Sequence, residues 1–130
     1  MIVVDTSAVI AALLARPVAS EVDARLREDD DLQAPHLIDI EFLHALRRLV
    51  RRRIISDTRA TIARTDFDDL TIERYPHRLL ADRIWELCAN LSAYDAAYVA
   101  LSERLDVPLV TCDERLDGAP HRANIETYRR

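Results

Sequence analysis

Short apolar runs separated by longer amphipathic stretches constrain the fold of this chain more than any other feature. The clearest runs, over residues 2–4 and 107–111, are typical of buried strands. Weaker strand patterns cover residues 32–34, 70–74 and 124–128. Helices are predicted over residues 8–14, 20–28, 35–53, 56–69, 76–89 and 95–105, with Pro17 separating the first two.

This order of elements predicts an α/β fold class. We expect a single domain over residues 1–130, built as a three-layer α/β/α sandwich around a mostly parallel sheet of four to five strands. In such sheets, ligands bind beyond the carboxyl ends of the strands. Candidate functional residues are therefore sought directly after the apolar runs.

Composition excludes several chemistries. Every basic residue is an arginine, so the chain has no phosphate-binding lysine and no lysine for a Schiff base. A single glycine, Gly118, excludes a glycine-rich phosphate loop. There is no apolar run of the roughly 18–20 residues that span a bilayer and no signal-peptide pattern. A cytoplasmic protein is expected, with Cys88 and Cys112 as free thiols.

Four carboxylates stand at positions that a parallel fold can bring together. Asp5 follows the first apolar run, Asp113 lies two residues past the run over 107–111, Asp95 begins a helix, and Glu41 lies in the first third of the long helix. Each also has an ordinary interpretation. Asp5 and Asp113 suit helix caps or turns, Ser92 and Asp95 suit a capping box, and Glu41 suits a solvated surface.

Together, these acids predict a site for a divalent cation. Clustered carboxylates repel one another and lose hydration, and a cation removes that cost. Oxygen ligands without a nearby His or Cys pair favour Mg²⁺ or Mn²⁺ over zinc. One or two such ions suit phosphodiester hydrolysis. The formal net charge of −5 agrees with this reading, since without the four acids 19 acidic and 18 basic residues remain.

Two arginines of the long helix predict a path for a phosphate backbone. Arg48 and Arg52 follow Glu41 by seven and eleven positions, within about 20° of its direction and roughly 10 and 16 Å along the helix axis. They are candidates for binding RNA. Two alternatives remain: cations favoured at a helix C-terminus, and a docking face for an acidic protein partner.

Four segments, in this order, resemble the PIN-domain nucleases and, within them, the VapC toxins of VapBC toxin–antitoxin pairs. The resemblance covers essentially the whole chain. The segments are Ile2-Val3-Val4-Asp5-Thr6-Ser7-Ala8, Ala34-Pro35 with Glu41 six residues on, Leu91-Ser92-Ala93-Tyr94-Asp95-Ala96-Ala97-Tyr98-Val99-Ala100, and Pro108-Leu109-Val110-Thr111-Cys112-Asp113-Glu114-Arg115-Leu116.

The resemblance implies a metal-dependent endoribonuclease that is the toxin of a bacterial type II toxin–antitoxin system. Such a toxin cleaves structured RNA and inhibits translation. Asp5, Glu41, Asp95 and Asp113 would be the catalytic, metal-binding set, with one or two Mg²⁺ or Mn²⁺ ions. A homodimer is implied, as is a VapB-like antitoxin whose C-terminal segment covers the pocket and often places an arginine among the acids.

The resemblance also implies supporting residues. Thr6, Ser7 and Thr111 fall where the family keeps hydroxyl groups around the site. Thr111 is expected to orient Asp113 or a metal-bound water through a hydrogen bond. Asp117 is a candidate for helping to hold a second ion, with a solvated turn as its alternative.

Other classes of function explain less of the pattern. A haloacid-dehalogenase-type phosphatase needs a second aspartate two residues after the first, where this chain has Ser7, and it needs a lysine. A non-catalytic domain that binds only a metal or a basic partner remains an alternative. A housekeeping RNA-processing nuclease of the PIN type is another.

Overall fold

A computed structural model describes residues 1–14 and 19–128 of the chain; the predicted break at Pro17 lies outside the described residues. Five strands form one sheet in the order β3-β2-β1-β4-β5, and every neighbouring pair is parallel. The predicted parallel sheet is thereby confirmed. The strands are β1 (Ile2–Val4), β2 (Leu32–Pro35), β3 (Ile72–Tyr75), β4 (Leu109–Thr111) and β5 (Ile125–Thr127).

Six α-helices of the described residues cover the two faces of the sheet. The chain moves outward from β1 to β2 to β3 and then returns to β4, so right-handed crossovers place the first four helices on one face and the last two on the other. The three-layer α/β/α prediction is confirmed. The helices are α1 (Thr6–Leu13), α2 (Ala19–Glu28), α3 (Ile38–Arg51), α4 (Asp57–Asp69), α5 (Ala81–Leu87) and α6 (Ala93–Leu105).

Several boundaries differ from those predicted. Helix α3 begins only at Ile38, because Pro35 pairs with Tyr75 in the sheet and the next two residues form the turn. It ends at Arg51, and Arg53 then adopts a left-handed φ of 57°. Strand β4 lacks residues 107 and 108, since the proline at 108 has no N–H to donate.

The predicted helix over 76–89 is divided into two parts. A 3-10 turn over His77–Leu80 precedes α5. Leu80 is buried and has φ −105° and ψ −2°, which lie outside the α-helical values. A second 3-10 turn, Glu114–Asp117, follows β4.

The direction of the chain reverses between the two central strands. From β1 it runs outward on one side through β2 and β3, and it resumes on the other side of β1 with β4 and β5. A crevice opens at such a switch point, outside the carboxyl ends of the strands. Asp5 directly follows β1, and Asp113 lies two residues after the end of β4. Strand β1 itself is fully buried, so the floor of the crevice is part of the core.

Two further predictions concern membrane-spanning segments and the two cysteines. None of the helices in the described ranges is long and apolar enough to cross a membrane. Neither Cys88 nor Cys112 forms a disulfide bond in the part of the chain that the structure describes.

Candidate active site

Asp5 is buried at the junction of β1 and α1, with both carboxylate oxygens engaged. Its Oδ1 accepts hydrogen bonds from the Ser7 hydroxyl at 2.7 Å and the Ala8 N–H at 3.0 Å. Its Oδ2 accepts one from the Thr111 hydroxyl at 2.6 Å. The ordinary interpretation as a helix cap is therefore correct. The same bonds fix the direction of the carboxylate.

Burial also controls the ionisation of Asp5. Loss of hydration raises its pKa to about 6, against the hydrogen bonds from Thr111, Ala8 and Ser7, which favour the charged form. The nearby charge of Asp113 raises the pKa further. A group that is costly to ionise in the metal-free protein is one that a cation would stabilise.

Thr111 forms hydrogen bonds with two of the predicted acids, Asp5 and Asp113. Its hydroxyl donates to the Asp5 carboxylate and accepts the backbone N–H of Asp113 at 2.9 Å. The predicted hydrogen bond between Thr111 and Asp113 is present, through the backbone N–H of Asp113 rather than its carboxylate. Ser7 reinforces the junction, because its Oγ accepts the Cys112 N–H at 2.8 Å. Hydroxyls thus join the ends of β1 and β4.

Glu41 approaches from α3 and is half-buried. Its Oε1 accepts hydrogen bonds from the Thr6 hydroxyl at 3.0 Å and from the Tyr98 hydroxyl at 2.5 Å. Burial raises the pKa of Glu41, and the charge of Asp95 adds to that effect while the two hydroxyls oppose it. The surface interpretation of Glu41 is therefore wrong.

The first turn of α3 is held from the edge of the sheet. Arg74 of β3 donates to both oxygens of Asp39 at 2.8 Å. The Leu37 N–H donates to His77 Nε2 at 2.8 Å. Bidentate arginine–carboxylate pairs have a well-defined geometry, so the helix that carries Glu41 has a fixed starting point.

Asp95 lies in the first turn of α6. Ser92 caps this helix by accepting the Asp95 N–H at 3.1 Å, as the capping pattern predicted. The Asp95 carboxylate is half-buried, and burial raises its pKa, with a further contribution from the charge of Asp113. Its negative charge near the helix N-terminus is favourable.

Asp113 caps the 3-10 turn after β4 and forms an ion pair with Arg115. The Arg115 guanidinium donates to Asp113 Oδ1 at 3.0 Å and to Oδ2 at 2.8 Å. The arginine side chain is 83% exposed, while that of Asp113 is 21% exposed. Asp117 lies on the solvent side of the turn and pairs with His121 at 2.5 Å, which agrees with the solvated-turn alternative.

The four predicted acids share one electrostatic environment. Asp113 affects the pKa of both Asp5 and Asp95, and Asp95 affects that of Glu41. Across residues 1–14 and 19–128, however, no three His, Cys, Asp or Glu side chains are arranged as a ready set of metal ligands. Like charges repel, and the Asp113 carboxylate is turned toward Arg115.

The two arginines predicted to guide RNA lie on the surface. Arg48 is exposed in the last turn of α3, and Arg52 is exposed as the residue that caps the helix. The Arg52 N–H donates to the Arg48 carbonyl at 3.0 Å, so both arginines keep the helical spacing from Glu41. Their role stays a prediction.

Two residues near the acids were missed by sequence reasoning. Tyr98 lies three positions after Asp95 and therefore on the same side of α6; a hydroxyl inside a run of buried apolar residues was the available signal. Arg115 lies two residues after Asp113, and its pairing depends on the rotamers of exposed side chains.

The fold and the site define a class: an α/β protein with acidic side chains at the switch-point edge of a parallel sheet. A family model described as PIN domain matches residues 2–121. The chain belongs to the PIN-domain family, which confirms the resemblance seen in its four sequence segments.

Named relatives agree with this assignment. Ribonuclease VapC9 of Mycobacterium tuberculosis is 47% identical over 116 residues, covering 89% of this chain and 88% of that protein. The fold is similar to that of VapBC2 from Rickettsia felis bound to a DNA fragment from their promoter, with a TM-score of 0.68, 12% identity, and coverage of 98% of this chain and 99% of that one. It is also similar to M. tuberculosis VapC20, a sarcin-ricin loop cleaving toxin, with a TM-score of 0.66, 17% identity, and coverage of 95% and 99%.

Proposed function

We propose that this protein is a divalent-cation-dependent endoribonuclease and the toxin of a toxin–antitoxin pair. The observation that carries the proposal is the electrostatic coupling of Asp5, Glu41, Asp95 and Asp113 at one edge of a PIN-domain sheet. The relative VapC9 is named a ribonuclease, which supports the same reaction. Structured RNA is the proposed substrate, as for the sarcin-ricin loop cleaved by VapC20.

The donor chemistry of the site fits Mg²⁺ or Mn²⁺. Three of the four carboxylates have a pKa raised chiefly by burial, so the metal-free cluster is costly to ionise. Carboxylate oxygens are the ligands that these hard cations prefer. Binding would require the Asp113 side chain to turn away from Arg115, and an exposed ion pair of this kind contributes only about 0.2–1 kcal/mol.

The chain's own residues prepare the site. Thr111 and Ser7 hold Asp5, and Thr6 and Tyr98 hold Glu41, so two acids from different elements have fixed directions. When bound, a divalent cation supplies the positive charge that activates water and stabilises a phosphodiester during hydrolysis. Arg115 places an exposed guanidinium at the rim, where it can contact an RNA phosphate.

Cleavage of total bacterial RNA by the purified protein tests the nuclease. We expect discrete fragments with Mg²⁺ or Mn²⁺ and none with EDTA, and sequencing of the fragment ends would name the target. Folded protein that leaves RNA intact with every cation, including RNA from the cell's own ribosomes and transfer RNA pool, would favour a non-catalytic metal- or partner-binding domain.

The toxin role adds a protein partner to the proposal. A cleft between α3 and α4 is lined by apolar and charged side chains, including Leu43, Val50 and Arg47. Ile40, on the exposed side of α3 and 71% exposed, continues this apolar surface. Such a surface suits an amphipathic antitoxin segment or a second copy of the chain in a homodimer.

Growth of bacteria that express the chain from an inducible promoter tests the toxin role. We expect arrest of growth and of protein synthesis, and no arrest with Asp5→Asn. Co-expression of the antitoxin from the gene adjacent to that of this protein should relieve the arrest. Normal growth despite accumulation of active nuclease would instead indicate a housekeeping RNA-processing enzyme.

A further inference from the structure

Tyr98 of α6 forms hydrogen bonds with α1 and α3, next to the predicted acids. It lies on α6, one turn after Asp95, and only 2% of the residue is exposed. Its hydroxyl lies 2.5 Å from Glu41 Oε1 on α3 and 3.1 Å from the Thr6 hydroxyl on α1. The tyrosine therefore makes polar contacts with two elements that reach the site from the opposite face of the sheet.

The hydrogen bonds to Glu41 are unequal between its two oxygens. Both hydroxyls, from Thr6 and Tyr98, donate to Oε1. No residue within 1–14 and 19–128 donates a hydrogen bond to Glu41 Oε2. This arrangement holds the carboxylate by one oxygen and leaves the other available for a ligand. Mutation of residues that hold a metal-binding carboxylate in this way typically lowers metal affinity or activity by about 10–100-fold.

Packing alone does not require the Tyr98 hydroxyl. A phenylalanine would fill nearly the same volume at this buried position, without a polar group that must be satisfied. The hydroxyl contributes a directed contact to one of the four predicted acids instead. Its position one helical turn from Asp95 also ties the distance between Asp95 and Glu41 to the rigid α6 backbone.

We propose that Tyr98 is a positioning residue that orients Glu41 for binding a divalent cation at the site. This inference rests on the proposed function, since it assumes that Glu41 is a ligand. Tyr98 acts through Glu41 and contacts neither RNA nor the cation. Removing its hydroxyl frees the carboxylate to rotate and weakens cation binding while the fold is kept.

Mn²⁺ binding to Tyr98→Phe, measured by electron paramagnetic resonance of the free ion, tests the inference without any RNA. We expect the affinity for Mn²⁺ to fall roughly tenfold relative to the unaltered protein, the lower end of the range for such supporting residues. Affinity within twofold of the unaltered protein would overturn the inference. Circular dichroism and thermal unfolding in EDTA verify that the variant is folded.

Tyr75→Phe provides a matched control. The Tyr75 hydroxyl also donates a hydrogen bond of 2.5 Å, to Gln33 Oε1, away from the four acids. Loss of a tyrosine hydroxyl that donates to a side-chain oxygen would in general affect both variants alike, whereas the inference predicts that Tyr75→Phe binds Mn²⁺ as the unaltered protein does. Equal losses of affinity in the two variants would overturn it.

A double-substitution cycle separates positioning from a general structural effect. In a Glu41→Gln background the carboxylate is absent, so Tyr98→Phe should cause no further loss of Mn²⁺ affinity. Additive losses would overturn the inference. If the unaltered protein binds Mn²⁺ and cleaves RNA but Tyr98→Phe matches it, only the inference fails. If the unaltered protein binds no Mn²⁺, the proposed function fails and the inference fails with it.

Discussion

The Thr111 hydroxyl lies 2.6 Å from Asp5 Oδ2 and joins the carboxyl ends of the two central strands. The Thr111 Oγ1 also accepts the N–H of Asp113, so this one side chain organises two of the predicted acids. Thr111 is fully buried, and no water would replace its hydrogen bonds if the hydroxyl were removed. Its substitution therefore tests how far the site depends on the strand junction.

Thr111→Val should reduce both stability and cleavage. The valine has the same shape but leaves a buried Asp5 oxygen and the Asp113 N–H without their partner, which costs about 1–3 kcal/mol of the free energy of unfolding. We expect cleavage to fall by roughly 10–100-fold. Thr111→Ser, which restores a hydroxyl, should recover most of the activity. A serine variant as inactive as the valine variant would contradict this role of the hydroxyl.

The metal-free protein should become less stable as the pH rises from about 4 to about 6. The pKa of Asp5 is about 6 in the folded protein, above its ordinary value of 3.8. Between these values the folded state binds more protons than the unfolded state, so ionisation opposes folding by at most about 3 kcal/mol. Burial also raises the pKa of Glu41 and Asp95, which acts in the same direction.

Urea unfolding of the unaltered protein and of Asp5→Asn, in EDTA at pH 4 and pH 6.5, measures this effect. The asparagine keeps the volume and the capping oxygen but has no charge to desolvate. We expect a smaller loss of stability between the two pH values in the variant than in the unaltered protein. An equal or larger loss in the variant would show that Asp5 ionises without cost.

Arg115→Ala should strengthen cation binding. The guanidinium pairs with both oxygens of Asp113 and carries a positive charge near Asp95, so it competes with a cation for the same carboxylates. An exposed pair contributes about 0.2–1 kcal/mol, which corresponds to at most about a fivefold gain in Mn²⁺ affinity. Calorimetric titration with Mn²⁺ measures it. Weaker binding in the variant would mean that Arg115 supports the site rather than competing for it.

Arg48→Ala should weaken RNA binding and lower its salt dependence. The side chain is exposed in the last turn of α3, on the helix that carries Glu41. Arg104 offers a matched control, because it occupies the last turn of α6 and faces solvent at the opposite edge of the sheet. The affinity of cleavage-deficient protein for RNA is measured at several salt concentrations. The slope of log affinity against log salt concentration should become smaller only for the Arg48 variant. Equal slopes for both variants would exclude a guiding role.

Much of this structure was predictable from local patterns. Strand β1 and the position of Asp5 at its end were predictable, because in an α/β chain an apolar run followed by an acid is typical of a buried strand that leads to the ligand-binding edge of the sheet. The helix caps at Ser92 and Ser56 were predictable because each hydroxyl accepts a hydrogen bond from an N–H group three residues away. The meeting of Glu41 with the strand ends followed from the order of elements.

Other features depend on contacts between distant elements. Tyr98 looks like a core aromatic in the sequence, and only the approach of α1 and α3 supplies partners for its hydroxyl. The additional hydrogen bond from Thr111 to the Asp5 carboxylate depends on strand register and side-chain direction. The 3-10 turn before α5 reflects how Leu80 enters the core, which the helical spacing of its neighbours does not reveal.

Cleavage by four single-substitution variants tests the central claim most directly. Asp5→Asn, Glu41→Gln, Asp95→Asn and Asp113→Asn each remove one charge with little change in volume. Asp82→Asn, an exposed acid of α5 away from the strand junction, is the control. With Mg²⁺ or Mn²⁺ and the RNA that the unaltered protein cleaves, we predict at least a hundredfold loss in each of the four and none in the control. Near-normal cleavage by folded Asp5→Asn, or by any two of the four, would contradict the account.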